Sequence, residues 1–224
     1  MAILKTTAFF SLAVQVVTAL IDLYVLVLPT AAEFILLKQL LLMELLVQIV
    51  EGIFYVWLAL NISNATGITR KRYWDWIFTT PVMLITLSSY LIYLRIDESG
   101  SSVIPSFFEL VRTYYDKFIQ IIILNTMMLF FGYLGEVNLM NVGTSVFAGF
   151  LPFIAMFYII YNSFAKHTRN GITLFYYFMF VWALYGAAAM MSYKWKNVCY
   201  NILDLFAKNF FGLFLAYQIV NRSA

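Results

Sequence analysis

Residues Asn201 to Val220 read NILDLFAKNFFGLFLAYQIV. A helix needs about 20 mainly apolar residues to cross the hydrocarbon core of a bilayer, and this stretch supplies them. Near its middle it carries Asp204 and Lys208, and each ionisable side chain at the centre of a membrane helix costs roughly 2.5 to 3.5 kcal/mol on insertion scales. Four residues apart, the two lie one helical turn from each other and can meet on one face. Two readings are open. Either the pair is a neutralising ion pair that pins its helix to its neighbours, or the lysine is an amine that condenses with an aldehyde cofactor.

Outward from this stretch, the whole chain has the composition of an integral membrane protein. Of 224 residues, 63% are hydrophobic and 11% charged, and the mean hydropathy is +0.86, well above that of a soluble domain. Breaks at polar and Pro/Gly clusters leave seven spans, at about residues 7–28, 33–60, 73–95, 114–134, 140–164, 171–194 and 197–220. A β-barrel would instead show segments of about ten residues alternating apolar and polar. The expected fold is an all-α membrane protein, a seven-transmembrane-helix bundle, with residues 1–224 forming one domain in the lipid bilayer. The opening MAILKTTAFFSLAVQVVTALIDLYVLVLP resembles a signal peptide, but its apolar run is long and interrupted by Gln15 and Asp22, so a retained first span is expected. Between the third and fourth spans, IDESGSSVIPSFFELVR predicts a short amphipathic helix after Pro105, with Phe107, Phe108, Leu110 and Val111 on one face.

The 14 basic and 11 acidic residues leave a net charge of +3. No basic tract interleaves with aromatics, which excludes a nucleic-acid partner. Cys199 is the only cysteine, so neither a disulfide within the chain nor a cysteine-rich metal site is expected. Loop charges differ by one between the two sides and do not orient the chain. Asn61-Ile-Ser63 and Asn64-Ala-Thr66 match the glycosylation acceptor pattern and, if used, put the loop after the second span and the N-terminus outside. His167 reads as a solvated loop residue, and Lys38 as a side chain that reaches the membrane interface.

The third span decides between the two readings of Lys208. In RYWDWIFTTPVMLIT, Arg72 to Thr86, another carboxylate, Asp75, is embedded in aromatics, with Thr79 one turn on and Pro81 inside the helix. A cationic nitrogen on Lys208 needs an anion nearby in a low-dielectric bundle, and Asp75 and Asp204 can share that duty while Arg72 balances the excess negative charge.

RYWDWIFTTP closely resembles the third-helix signature of the microbial rhodopsins, and LDLFAK resembles their seventh-helix signature. FVWALYG and GYLGE (Gly132 to Glu136) resemble further stretches of the same family. The resemblance implies a photoactive ion-transport protein rather than an enzyme, with all-trans retinal held as a protonated Schiff base on Lys208. Asp75 is then the primary counterion and proton acceptor, Asp204 the second counterion, and Thr79 a hydrogen-bond partner of Asp75. Trp76, Thr80, Met83, Met128, Gly132, Trp182 and Tyr185 are expected to line the pocket. The N-terminus is expected outside and the C-terminus in the cytoplasm. A homo-oligomer is compatible with the family.

The chain departs from a proton pump of that family in two places. Eleven residues after Asp75, where a pump carries a proton-donating acid, stands Thr86, and a hydroxyl does not donate near neutral pH. Lys196 stands where pumps can carry a proton-releasing glutamate. Polar residues instead form three stripes with one 4-3-4 spacing: Ser11, Gln15, Thr18, Asp22; Glu44, Gln48, Glu51, Tyr55; and Asn197, Asn201, Asp204, Lys208. At about 100° per residue each stripe occupies one helix face. Facing one another, they form a polar column, and intramembrane carboxylates usually face a cavity or an ion path. Ser11, Gln15, Glu44, Gln48, Glu51, Asn197 and Asn201 are therefore the candidate ion pathway, the alternative being hydrogen bonds that hold helices together. This combination is most similar to the group 1 viral rhodopsins of large algal viruses, which implies a light-gated cation channel. The alternatives are a slow outward proton pump and a sensory rhodopsin acting through a partner.

Overall fold

The computed structural model describes residues 2–62, 67–101 and 103–223. The serine and threonine of the two acceptor patterns, Ser63 and Thr66, lie outside the described residues, together with Asn64. The described residues form helices α1 (Ala2–Val27), α2 (Ile35–Asn61), α3 (Ile68–Glu98), α4 (Phe107–Thr113), α5 (Tyr115–Glu136), α6 (Val142–Ser163), α7 (Gly171–Ala189), α8 (Tyr193–Asp204) and α9 (Phe210–Ser223). A π-helical segment, Leu205–Asn209, joins α8 to α9, so these three pieces make the seventh span. Seven spans are long and apolar enough to cross a membrane, as the hydropathy pattern predicts. The third starts five residues earlier than expected, because Ile68 and Thr69 are buried rather than part of the preceding polar loop.

Burial is unequal, and the inequality positions the site. In the third and seventh spans 72% and 67% of the membrane window is buried, against 28% in the first. These two helices therefore run through the middle of the bundle, where polar side chains meet protein rather than lipid. α1 packs on α2, α8 and α9, and α3 on α2 and α5. Large apolar side chains such as Phe10, Leu20, Trp74 and Phe78 face outward, as a lipid-facing surface requires.

The expected amphipathic helix exists as α4. Ser106 caps it, its hydroxyl accepting from Glu109 N at 3.3 Å, while the Glu109 carboxylate accepts from Ser106 N at 2.7 Å. Its apolar face differs from expectation: Leu110 is buried, but Phe108 is exposed, because the roughly two turns of helix offer only one side to the bundle. Lys38 is half-buried and caps α1, donating to Leu26 O at 3.0 Å and to Leu28 O. His167 is exposed, as expected.

Candidate functional site

Arg72, Asp75, Trp76, Thr79, Thr80 and Met83 recur at intervals of three and four along α3, so all fall on its buried face. Across from them the π segment of the seventh span carries Lys208. A π segment adds one residue to a helical turn and redirects the side chains within it. Lys208 Nζ lies 2.7 Å from Asp75 Oδ2 and 3.9 Å from Asp204 Oδ1. The i, i+4 contact suggested by spacing is thus the longer of the two, and the partner from α3 is the nearer. Glu51 of α2 is a third carboxylate in the set, its Oε1 3.6 Å from Lys208 Nζ. Spacing placed Glu51 in a stripe on α2; only packing brings it to the lysine.

Asp204 is held by three donors: Tyr55 Oη at 2.7 Å, Tyr185 Oη at 2.8 Å and Arg72 Nη1 at 2.9 Å. Arg72, fully buried, also donates to Asn197 Oδ1 at 3.3 Å and to Asn201 Oδ1. Every oxygen on Asp204 is therefore occupied, whereas Asp75 Oδ1 has no hydrogen-bond partner among the described residues. Thr79 bonds Asp75 through the main chain, Oγ1 donating to Asp75 O at 3.0 Å, and leaves the carboxylate itself alone. The expected Thr79–Asp75 bond thus runs to the main chain, because a threonine four residues on in a helix reaches the preceding carbonyl most readily.

Beside Lys208 lies an apolar cavity whose walls include Trp76, Thr80, Met83, Met128, Gly132, Trp182 and Tyr185, together with Tyr73, Phe150, Phe153, Gly186 and Lys208 itself. All seven residues expected at a pocket are in its wall. Two glycines keep it open, since a Cβ on Gly132 would come within 2.7 Å of Tyr73 Oη and one on Gly186 within 2.6 Å of the Phe150 ring. A slot with aromatic walls and a buried primary amine fits an elongated apolar aldehyde such as retinal. Asn125, not anticipated from the sequence, donates to Thr80 Oγ1 at 2.8 Å next to this cavity. The signal was present: an amide in the apolar run IIILNTMMLF is costly unless bonded to a neighbouring helix.

The polar stripes of α1, α2 and the seventh span do meet. Ser11 Oγ donates to Asn201 O at 2.9 Å, Tyr55 Oη lies 3.3 Å from Asn201 Oδ1 and Gln48 Nε2 donates to Asp22 Oδ2 at 2.6 Å, while Asn197 Nδ2 turns to α3, donating to Thr69 Oγ1 at 3.0 Å. Ser11, Gln15, Glu44, Gln48, Glu51, Asn197 and Asn201 are all buried in this seam. Both side-chain oxygens of Glu44 and of Glu51, both polar atoms of Gln15, and Oδ1 of Asp22 and of Asn209 have no hydrogen-bond partner among the described residues. Glu44 sits beside the Thr86 side chain. At the C-terminal end of α5, Glu136 pairs with Lys196 at 2.5 Å.

Seven spans around a buried lysine, three carboxylates and an aromatic-walled slot fit a retinal-binding membrane protein. Residues 6–222 match the family described as bacteriorhodopsin-like protein, and the chain belongs to that family. It therefore carries retinal covalently on a lysine. The green-light absorbing proteorhodopsin of Gamma-proteobacterium EBAC31A08 is 25% identical over 180 residues, 73% of this chain and 66% of that one. The match thus spans just under two thirds of that relative. Among solved structures, viral rhodopsin OLPVRII superposes with a TM-score of 0.81 at 24% identity, covering 99% of both chains. Xanthorhodopsin, a light-driven ion pump with dual chromophore, superposes at 0.73 with 18% identity, covering 99% of this chain and 94% of that one. These similarities establish the shared fold.

Proposed function

We propose that the chain is a light-gated cation channel whose path follows the seam between α1, α2 and the seventh span. The observation that carries this reading is the run of buried polar groups Gln15, Asp22, Glu44, Glu51 and Asn209, which keep oxygens or nitrogens without a hydrogen bond among the described residues, Glu51 facing Lys208 Nζ only at 3.6 Å. A buried polar atom without a partner costs about 1 to 3 kcal/mol, and the cost falls when water or an ion supplies the missing contact. Such atoms on three facing helices suit a path that hydrates on opening, and glutamates within it favour cations over anions.

Lys208 is the residue proposed to hold retinal, which when bound would supply a light-driven change of shape, the proton-bearing nitrogen being Lys208 Nζ itself. Asp75 Oδ2, at 2.7 Å, is placed to accept that proton. Neutralising Asp75 removes the shortest ion pair between α3 and the seventh span. Arg72 and Asp204, with Tyr55 and Tyr185, keep the outer half of the seam closed until that pair is lost. In this reading the N-terminus faces outside and the C-terminus the cytoplasm. The test is photocurrent under voltage clamp. A current that reverses with the cation gradient, and falls in Glu51→Gln, supports the channel; a current outward at every voltage defeats it.

One observation favours a second reading, slow outward proton pumping. Glu44, beside Thr86, stands near the position that a proton-donating acid on α3 would otherwise occupy. The same current measurement separates the two.

A further inference from the structure

Past Lys208 along the seventh span, α1 and α2 close on the helix through a polar knot that the light reaction does not use. Gln48 Nε2 donates to Asp22 Oδ2 at 2.6 Å, Thr18 Oγ1 lies 3.3 Å from Gln48 Oε1, and Asn209 Nδ2 donates to Thr18 Oγ1 at 2.8 Å. All four side chains are at most 2% exposed. A Cβ on Gly212 would strike both Asp22 Oδ2 and Gln48 Nε2, so the helix backbone itself closes one wall.

Two features leave this knot incomplete as pure structure. Asp22 Oδ1 and Asn209 Oδ1 have no partner among the described residues. Asp22 also forms no ion pair among them, since every lysine or arginine in such a pair is engaged with another carboxylate. A carboxylate fully buried without a paired charge is costly in a low-dielectric interior. We propose that Asp22, Thr18, Gln48 and Asn209 form a binding site for a partly dehydrated monovalent cation of the sodium or potassium type, occupied in darkness.

The donor chemistry selects the ion. Hard cations take carboxylate, amide and hydroxyl oxygens, and the site offers all three. The Gln48 and Asn209 amides can each turn an oxygen inward. One carboxylate balances one positive charge, whereas a calcium ion would need six to eight oxygens and would leave an uncompensated charge among apolar helices. The proposal rests on the same seam as the channel reading and deepens it, by naming the place where a passing cation exchanges water for protein oxygens.

The test reads binding in the dark, so it is independent of how current flows. Retinal-loaded full-length protein in lipid nanodiscs is heated while its colour is followed, in N-methylglucamine chloride exchanged at constant ionic strength for sodium, potassium or calcium chloride. Sodium or potassium is expected to raise the transition saturably, by about 5 to 10 °C at one hundred times the dissociation constant. Asp22→Asn, which keeps the shape, and Thr18→Val are both expected to lose the rise. No saturable rise with either monovalent ion, an equal rise in Asp22→Asn, or a rise with calcium alone overturns the site. Photocurrents that stay outward at every voltage while dark binding persists defeat the channel reading and leave the site standing.

Discussion

Replacing Arg72 by methionine removes the buried cation that binds Asp204, Asn197 and Asn201. Arg72 is fully buried, with Asp204 Oδ2 at 2.9 Å, Asn197 Oδ1 at 3.3 Å and the Phe54 ring 4.8 Å from its guanidinium carbon. At an effective dielectric constant of about 20 the Arg72–Asp204 attraction is roughly 6 kcal/mol, and desolvating the two charges offsets much of it. Once the arginine is gone that cost stays with Asp204 alone, and breaking a buried pair from one side typically costs about 3 to 5 kcal/mol. Tyr55 and Tyr185 still donate to Asp204, which puts Arg72→Met at the lower end, about 3 kcal/mol. For a chain of this size that is about 6 to 12 °C of thermal midpoint. Loss of colour and of helical circular dichroism on heating measure it. Arg72→Met/Asp204→Asn should lie above Arg72→Met, because the orphaned charge is gone. A shift under about 2 °C for the single variant, or a double variant as low as the sum of the singles, would refute the reasoning.

Lys208→Ala should leave the protein colourless with added retinal while its helical content is retained, as absorbance and circular dichroism of one preparation can show. Gly132→Leu should cut retinal uptake at least about tenfold, because even its first added carbon meets Tyr73 Oη at 2.7 Å and overpacking costs about 1 to 3 kcal/mol; Gly52→Ala, with open space around it, should regenerate normally. Glu51→Gln should change the visible absorption maximum as well as the current, since a charge 3.6 Å from Lys208 Nζ is removed; an unmoved spectrum argues against its place in the counterion set. Outside the membrane, the backbone N–H of Ser106, and then its hydroxyl, hold the Glu109 carboxyl below its ordinary 4.5. The cap is therefore at full strength above that value and is lost as pH falls through the lowered one, so the α4 amides, once corrected for the pH dependence of intrinsic exchange, should show lower protection factors at pH about 3 than at pH about 6 by hydrogen exchange.

Much of the fold is legible because hydropathy is additive along the chain. Seven runs separated by polar breaks require no knowledge of packing, and the 4-3-4 spacing of Ser11 to Asp22, Glu44 to Tyr55 and Asn197 to Lys208 states which face of each helix is polar. The RYWDWIFTTP and LDLFAK stretches supplied Trp76, Thr80 and Lys208 of the slot, and FVWALYG and GYLGE supplied Trp182, Tyr185 and Gly132. Partners across helices are a different matter. Glu51 reads as one more member of a stripe until α2 is packed on the seventh span, and the Asn125–Thr80 bond joins residues 45 apart in sequence.

By itself, then, the sequence determined that this chain crosses a bilayer seven times, which faces are polar, and that a lysine and two aspartates on the third and seventh spans belong together. Only the tertiary structure decided which carboxylate is nearest Lys208, that Glu51 joins the set, and that Asp22, Thr18, Gln48 and Asn209 converge past the lysine. The reason is physical: periodicity sets the direction of a side chain about its own helix axis, but contact depends on the rotation and depth of the neighbouring helix. The π segment at Leu205–Asn209 alters both locally.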